Sequence, residues 1–106
     1  MLGAPGLGQG EPDLGEKLMT SFLSVLLESG RLPARIICIN SGIFLTTEGA
    51  SVAAILARFA EQGTDVVSCG TCLDYFDRRD KLIVGRVGNM KETVESMLSH
   101  RKILSP

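Results

Sequence analysis

Thr64-Asp65-Val66-Val67-Ser68-Cys69-Gly70-Thr71-Cys72 is the stretch on which the reading of this chain turns. Asp65-Val66-Val67-Ser68 reads as a short buried strand, and Gly70 then opens a turn toward a short helix. A Cys-x-x-Cys placed where a buried strand ends holds two thiols within bonding reach at an open sheet edge. No other feature offers comparable chemistry: there is one histidine and no tryptophan.

On either side the chain alternates helical and strand-like segments. Residues 1–12, with Gly3, Gly6, Gly8, Gly10, Pro5 and Pro12, read as a flexible, loop-like lead-in. Asp13 is expected to cap the first helix, with Glu16 reaching back to complete a capping box. Leu14, Leu18, Phe22, Val25 and Leu26 recur at helical spacing, widened by Met19, Leu23 and Leu27, until Gly30 and Pro33 stop the helix. Arg35-Ile36-Ile37-Cys38-Ile39-Asn40 is a continuous apolar run, the pattern of a strand covered on both faces. Ser51 opens a second helix that closes at Gly63. Leu82 to Val87 is a third strand candidate. Asn89 and Glu92 cap a last helix, and Lys102-Ile103-Leu104 is expected to add an edge strand.

This alternation predicts a three-layer α/β/α domain over residues 13–106 with a mostly parallel sheet. Ligands of such sheets gather at the carboxyl ends of the strands. Three loops fall there: Asn40 to Gly49, Cys69 to Phe76, and Gly88-Asn89.

Composition narrows the function classes. The chain has 106 residues, 44% hydrophobic and 22% charged, with 11 basic and 12 acidic residues. A net charge of −1 gives no field to draw nucleic acid or an anionic membrane surface. No apolar stretch approaches the roughly 20 residues that span a bilayer, and the first residues lack a signal peptide's pattern. Three cysteines are too few for a secreted disulfide framework, so the pair is expected to work in the reducing cytoplasm.

A free thiol near pKa 8.5 is only roughly 3% ionised at pH 7, and bringing one to pKa 7 takes about 2 kcal/mol. A helix N-terminus supplies about 0.3–1 kcal/mol. A further donor is therefore expected at Cys69: Thr71, a backbone amide, or a cation from Arg78, Arg79 or Lys81. Cys38, inside an apolar strand, reads as a core residue. A zinc site from three cysteines and His100 is disfavoured, because a last helix antiparallel to the strands carries His100 to the opposite end of the sheet, roughly 16 Å away. Neither a metal nor another cofactor is expected. Gly6-Leu7-Gly8-Gln9-Gly10 fits no nucleotide-binding pattern.

Several stretches resemble the C-terminal DsrE-like domain of the YedF proteins, which are called sulfurtransferase-like selenium metabolism proteins. They are Asp13 to Met19, Asn40-Ser41-Gly42, Thr47-Glu48-Gly49, Cys69-Gly70-Thr71-Cys72-Leu73-Asp74-Tyr75 and Val87-Gly88-Asn89-Met90. The similarity runs from about residue 6 to 104. It implies a DsrE-like fold and a cytoplasmic place among sulfur-relay proteins. In several DsrE relatives the cysteine that takes up sulfur follows the same strand and matches Cys69; Cys72 matches the second cysteine typical of the YedF branch. Two departures stand out. Nothing here matches the TusA-like domain that usually precedes, and the apolar strand before the Gly-rich loop has no counterpart.

The leading expectation is thus a sulfur-relay accessory protein. Cys69 attacks a persulfide on a TusA-like carrier, Cys72 receives the sulfur or displaces it, and Asn40, Gly42, Gly70, Thr71 and Asn89 shape the pocket. Thiol–disulfide exchange is a second reading, ranked lower because no proline is placed opposite the pair. A binding or assembly module with structural cysteines is the third. A homo-oligomer is expected, since a sheet without its usual first strand leaves apolar surface uncovered.

Overall fold

The computed structural model describes residues 1–106. Its framework is a pair of short apolar strands, β1 (Arg35–Cys38) and β2 (Asp65–Cys69), running parallel with Ile36 opposite Val66. A third parallel strand, β3 (Arg86–Gly88), lies on the far side of β2, so the sheet order is β1-β2-β3. Parallel neighbours cannot be joined by a tight hairpin, and helices make both crossings. They are α2 (Ala53–Glu61) between β1 and β2, and α3 (Gly70–Tyr75) between β2 and β3. The chain is an α/β protein with an all-parallel sheet, as its alternating pattern predicts.

Alternation along the strands assigns their side chains to two faces. Ile36, Cys38 and Val66 join one apolar cluster with Met19, Leu23 and Leu27 of α1 (Pro12–Glu28) and Leu56 and Phe59 of α2. Ile37 and Val67 are also buried and project from the other face.

Helix α1 begins differently from its sequence expectation. Pro12 is its first residue and Glu11 its N-cap, with no side-chain capping bond, so the Asp13–Glu16 box does not form. Proline suits that position because its fixed φ is helical and its missing N–H would have no partner there. The buried face is also rotated: Gly15, Met19, Leu23 and Leu27 face inward, while Leu14, Leu18 and Val25 are exposed. The glycine-rich segment sets this rotation. Leu7 N–H donates to the Gly15 carbonyl at 2.9 Å, and a Cβ on Gly6 would stand 3.2 Å from Gly15 backbone. The helix ends at Ser29, with Gly30 following in the left-handed region at φ 75°.

Three further differences have physical causes. Leu2, expected within a loop, is 3% exposed and bridges β1: its N–H donates to Ile37 at 2.8 Å, and Ile39 donates back at 3.0 Å. One residue therefore occupies the place beside β1 where no strand was expected. The third strand is shorter than Leu82–Val87, because Gly85 turns at φ 77° directly under the Val66 carbonyl, and Leu82 bridges Thr47 instead. Lys102–Leu104 is not a strand; the Leu104 carbonyl accepts from the Met1 ammonium.

The last helix, α4 (Met90–Ser99), starts as predicted, with Asn89 Oδ1 accepting the Glu92 N–H at 2.9 Å. Its buried residues are the small Thr93 and Ser96, while Leu98 is 83% exposed. No helix is long and apolar enough to cross a membrane.

Candidate functional site

Strand β2 delivers Cys69 to its last position, where it is also the N-cap of α3. The apolar run thus ends in a thiol at a helix start, as the Val-Val-Ser-Cys-Gly order predicts. Gly70 is required there: a Cβ would stand 2.7 Å from Arg79 Nη2, 3.1 Å from Val87 Cγ1 and 3.2 Å from the Gly88 carbonyl. Only a bare backbone can start a helix against the end of β3.

The two thiols sit in unlike surroundings. Cys69 is 5% exposed, whereas Cys72, one helical turn on, is half-buried. No disulfide joins them. The exposed nucleophile expected at Cys69 is not what the fold presents. As the final residue of a covered strand it is enclosed, and the surface-facing sulfur is Cys72.

The loop after β1 supplies the remaining partner. Asn40 opens a 3₁₀ segment (Asn40–Leu45) with φ 51°, and its backbone N–H donates to Cys72 Sγ at 3.0 Å. Asparagine is among the few residues with a side chain that tolerate this conformation. The carboxyl-end loops of β1 and β2 therefore meet at one sulfur. Burial pushes the Cys72 thiol up, the neighbouring Cys69 thiol adds to that, and the Asn40 amide opposes both.

The cations expected to assist the thiols are engaged elsewhere. Arg78 donates to Thr47 Oγ1 at 3.1 Å and to the Glu48 carbonyl at 3.0 Å, and lies over the Phe44 ring. Arg79 forms a two-bond pair with Asp74, and Lys81 pairs with Glu48. The one donor that reaches a sulfur of the pair is the Asn40 backbone amide, and it reaches Cys72 rather than Cys69, where it was expected.

The other sequence candidates divide plainly. Asn40 and Gly70 border the thiols. Thr71 is exposed, and no hydrogen bond links it to either sulfur. Gly42 lies beneath the N-terminal segment, where a Cβ would fall 2.1 Å from the Leu2 carbonyl. Asn89 spends its side chain on capping α4. His100 binds the Ser96 carbonyl near Arg35, at the amino end of β1, away from the cysteines. Cys38 is fully buried, and burial pushes its thiol up to about 12. No cluster of three or more His, Cys, Asp or Glu side chains is placed to hold a metal.

Sequence reasoning missed one buried contact behind the site. Ser68, next to Cys69, shares a 2.6 Å hydroxyl bond with Thr46, which also donates to the Ile43 carbonyl. The pair pins the 3₁₀ segment to β2 just before the thiols. The only available signal was a polar residue interrupting an apolar strand.

No protein-family model matches this chain, and no curated protein matches it.

Proposed function

We propose that Cys69 and Cys72 form a sulfur-handling dithiol that accepts sulfane sulfur from a persulfide and passes it on. The observation that carries this reading is the Asn40 N–H held on Cys72 Sγ beside a second thiol. An aimed amide stabilises negative charge on sulfur, which Cys72 Sγ carries as the thiolate before attack and regains as the leaving group when an acceptor removes the outer sulfur. The difference in exposure supports an order for the two thiols. An incoming persulfide reaches Cys72 without displacing the fold, whereas Cys69 is enclosed, so Cys72 takes up the sulfur and Cys69 resolves it.

The chemistry balances as follows. Cys72 Sγ, as thiolate, attacks the outer sulfur of a donor persulfide R–S–SH. The donor S–S bond breaks, a bond to Cys72 forms, and the departing R–S⁻ takes up the proton that Cys72 lost. The product is a Cys72 persulfide and a free donor thiol. An acceptor thiolate then removes the outer sulfur by the same step. Alternatively, Cys69 attacks Cys72 Sγ, forming the Cys69–Cys72 disulfide and expelling hydrosulfide. The resemblance to the DsrE-like domain of the YedF proteins supports a TusA-like carrier as donor and the cytoplasm as setting.

The test is intact-mass spectrometry after incubation with glutathione persulfide. We expect addition of one sulfur that dithiothreitol reverses, that persists in Cys69→Ser and that disappears in Cys72→Ser. Absence of any sulfur addition, or addition unaffected by either substitution, refutes the proposal. Rapid insulin reduction without sulfur uptake would instead establish thiol–disulfide exchange.

A further inference from the structure

Three of the chain's five aromatic residues, which are four phenylalanines and one tyrosine, meet at the helix that carries Cys72. Phe44 and Phe76 pack edge to face with ring centres 4.9 Å apart, and Tyr75 meets Phe76 in the same way at 5.0 Å. Both segments that border the thiol supply them. Tyr75 and Phe76 follow Cys72 by three and four residues, the spacing that sets side chains on one helix face. Phe44 stands in the segment that Asn40 opens. Phe44 and Phe76 are half-buried at the rim of the core, as Cys72 is, whereas Tyr75 is 82% exposed. Aromatic side chains at the surface are enriched where proteins bind one another.

This aromatic ledge ends at a cavity of about 290 Å³ beside Phe44. Phe44, Leu45 and Val52 give it apolar walls, and its charged groups are Glu16, Glu48 and Arg78. The Arg78 guanidinium is already engaged by the Phe44 ring, Thr47 Oγ1 and the Glu48 carbonyl. Glu48 also pairs with Lys81 at 3.7 Å. Glu16 has no ion-pair partner, and neither has Asp77, the residue after Phe76. The volume is at the lower end of those that enclose a whole small molecule, and it suits one long side chain. The thiols line neither this cavity nor the larger one.

We propose that the persulfide donor is a protein whose cysteine-bearing segment lies along Tyr75, Phe76 and Phe44 and inserts a lysine or arginine side chain into the cavity. This rests on the sulfur reading of Cys72 and adds the surface that selects its partner. Charge and shape favour that occupant. A long basic side chain lays its methylene stem on Phe44, Leu45 and Val52 and carries its charge to the unpaired Glu16. An acidic one meets two carboxylates against a single guanidinium that is already engaged. A small persulfide reaches Cys72 but cannot cover the ledge and the cavity at once. The two ring-to-ring steps span at most about 10 Å, and an extended chain rises roughly 3.3 Å per residue, so the basic residue stands about three residues from the persulfide.

The probe is a fluorescein-labelled peptide with serine in place of the persulfidated cysteine, apolar neighbours, and a lysine three residues to either side. It is titrated with the full chain by fluorescence anisotropy. We expect saturable binding that falls about tenfold in Tyr75→Ala and is kept in Tyr75→Phe, which preserves the ring. Tyr75 lies outside the core cluster, so its truncation leaves the fold intact. Glu16→Lys, at an exposed position without an ion pair, should weaken binding severalfold, and exchanging the peptide lysines for glutamates should restore it. The docking surface is overturned by absence of saturable binding, by equal binding of the glutamate peptide to the unaltered chain, or by full binding to Tyr75→Ala. Sulfur uptake by the unaltered chain from glutathione persulfide separates this proposal from the reading it rests on. Uptake without peptide binding overturns the surface alone. Peptide binding without uptake, from glutathione persulfide or from the persulfidated peptide, refutes the sulfur reading and the donor role with it.

Discussion

The Asn40 amide and the Cys72 sulfur, 32 positions apart in sequence, are joined by a 3.0 Å hydrogen bond that ties the loop after β1 to the helix after β2. This contact works against burial and against the neighbouring Cys69 thiol, and burial prevails, so the Cys72 thiol is raised. Alkylation follows the thiolate fraction. Iodoacetamide labelling of Cys72, read by peptide mass spectrometry from about pH 6 to about 10, should therefore keep climbing through pH 9, above the usual thiol range. A plateau reached by pH 8 would contradict this environment.

Asn40 holds that amide in place by standing at φ 51°. A β-branched residue pays a steric penalty there that glycine does not. Asn40→Val should destabilise the fold by about 1–2 kcal/mol, and Asn40→Gly by much less. Urea unfolding midpoints of the two variants provide the check, and equal loss in both would remove the conformational explanation.

Much of this was legible in the residues and some was not. Continuous apolar runs marked β1 and β2, and Asn89 with Glu92 marked the start of α4, because burial on both faces and capping are local signals. The thiol pair at a strand end was legible for the same reason. The shortened third strand was not: Leu82 to Val87 has strand composition, but Gly85 turns under the Val66 carbonyl, a contact between segments nearly twenty residues apart. The rotated face of α1 depends on the Gly6–Gly15 contact, also invisible to periodicity. Nor does a short sequence disclose which of two nearby cysteines faces water, since the packing around the end of β2 decides it.

Gly42 is the close-approach position that lets Leu2 reach β1. Its missing side chain leaves room for the Leu2 carbonyl, which a Cβ would meet at 2.1 Å. Gly42→Ala should push Leu2 out of its bridge and cost about 1–3 kcal/mol, the range for leaving buried backbone groups unpaired. Faster hydrogen exchange at Ile39, whose N–H bonds the Leu2 carbonyl, should accompany the lower midpoint. Unchanged exchange there would mean the segment is held by other contacts.

Asp65 accepts from both Arg35 and Arg86, and the Arg86 hydrogen bond is the main reason its carboxyl lies below the ordinary range. A depressed folded value contributes stability that is present above the unfolded pKa of about 3.9 and is lost as pH falls through the folded value. The pairs are partly exposed, with about a third of the Asp65 side chain reached by solvent, so screening limits their contribution. Asp65→Asn should cost about 1 kcal/mol at neutral pH, and the gap from the unaltered chain should shrink below about pH 4. A gap that stays constant into acid would assign the loss to packing rather than charge.

Cys38 provides the opposite sign at the alkaline end. Burial holds its thiol neutral up to about 12, from an ordinary value of 9.0, with only a small opposing pull from the nearby Met1 ammonium. Once pH passes the unfolded value, the unfolded chain releases this proton while the folded chain keeps it, so stability falls as pH rises. By about pH 10 the loss from this group should reach about 1.4 kcal/mol. Cys72 is raised too, but it is common to both proteins in a comparison with Cys38→Val, so the difference between their alkaline slopes isolates Cys38. Urea midpoints between about pH 8 and 10 should fall more steeply for the unaltered chain, and Cys38 should resist iodoacetamide until denaturant is added. Parallel slopes, or native labelling of Cys38 at pH 8, would show that β1 opens often enough to expose its core face.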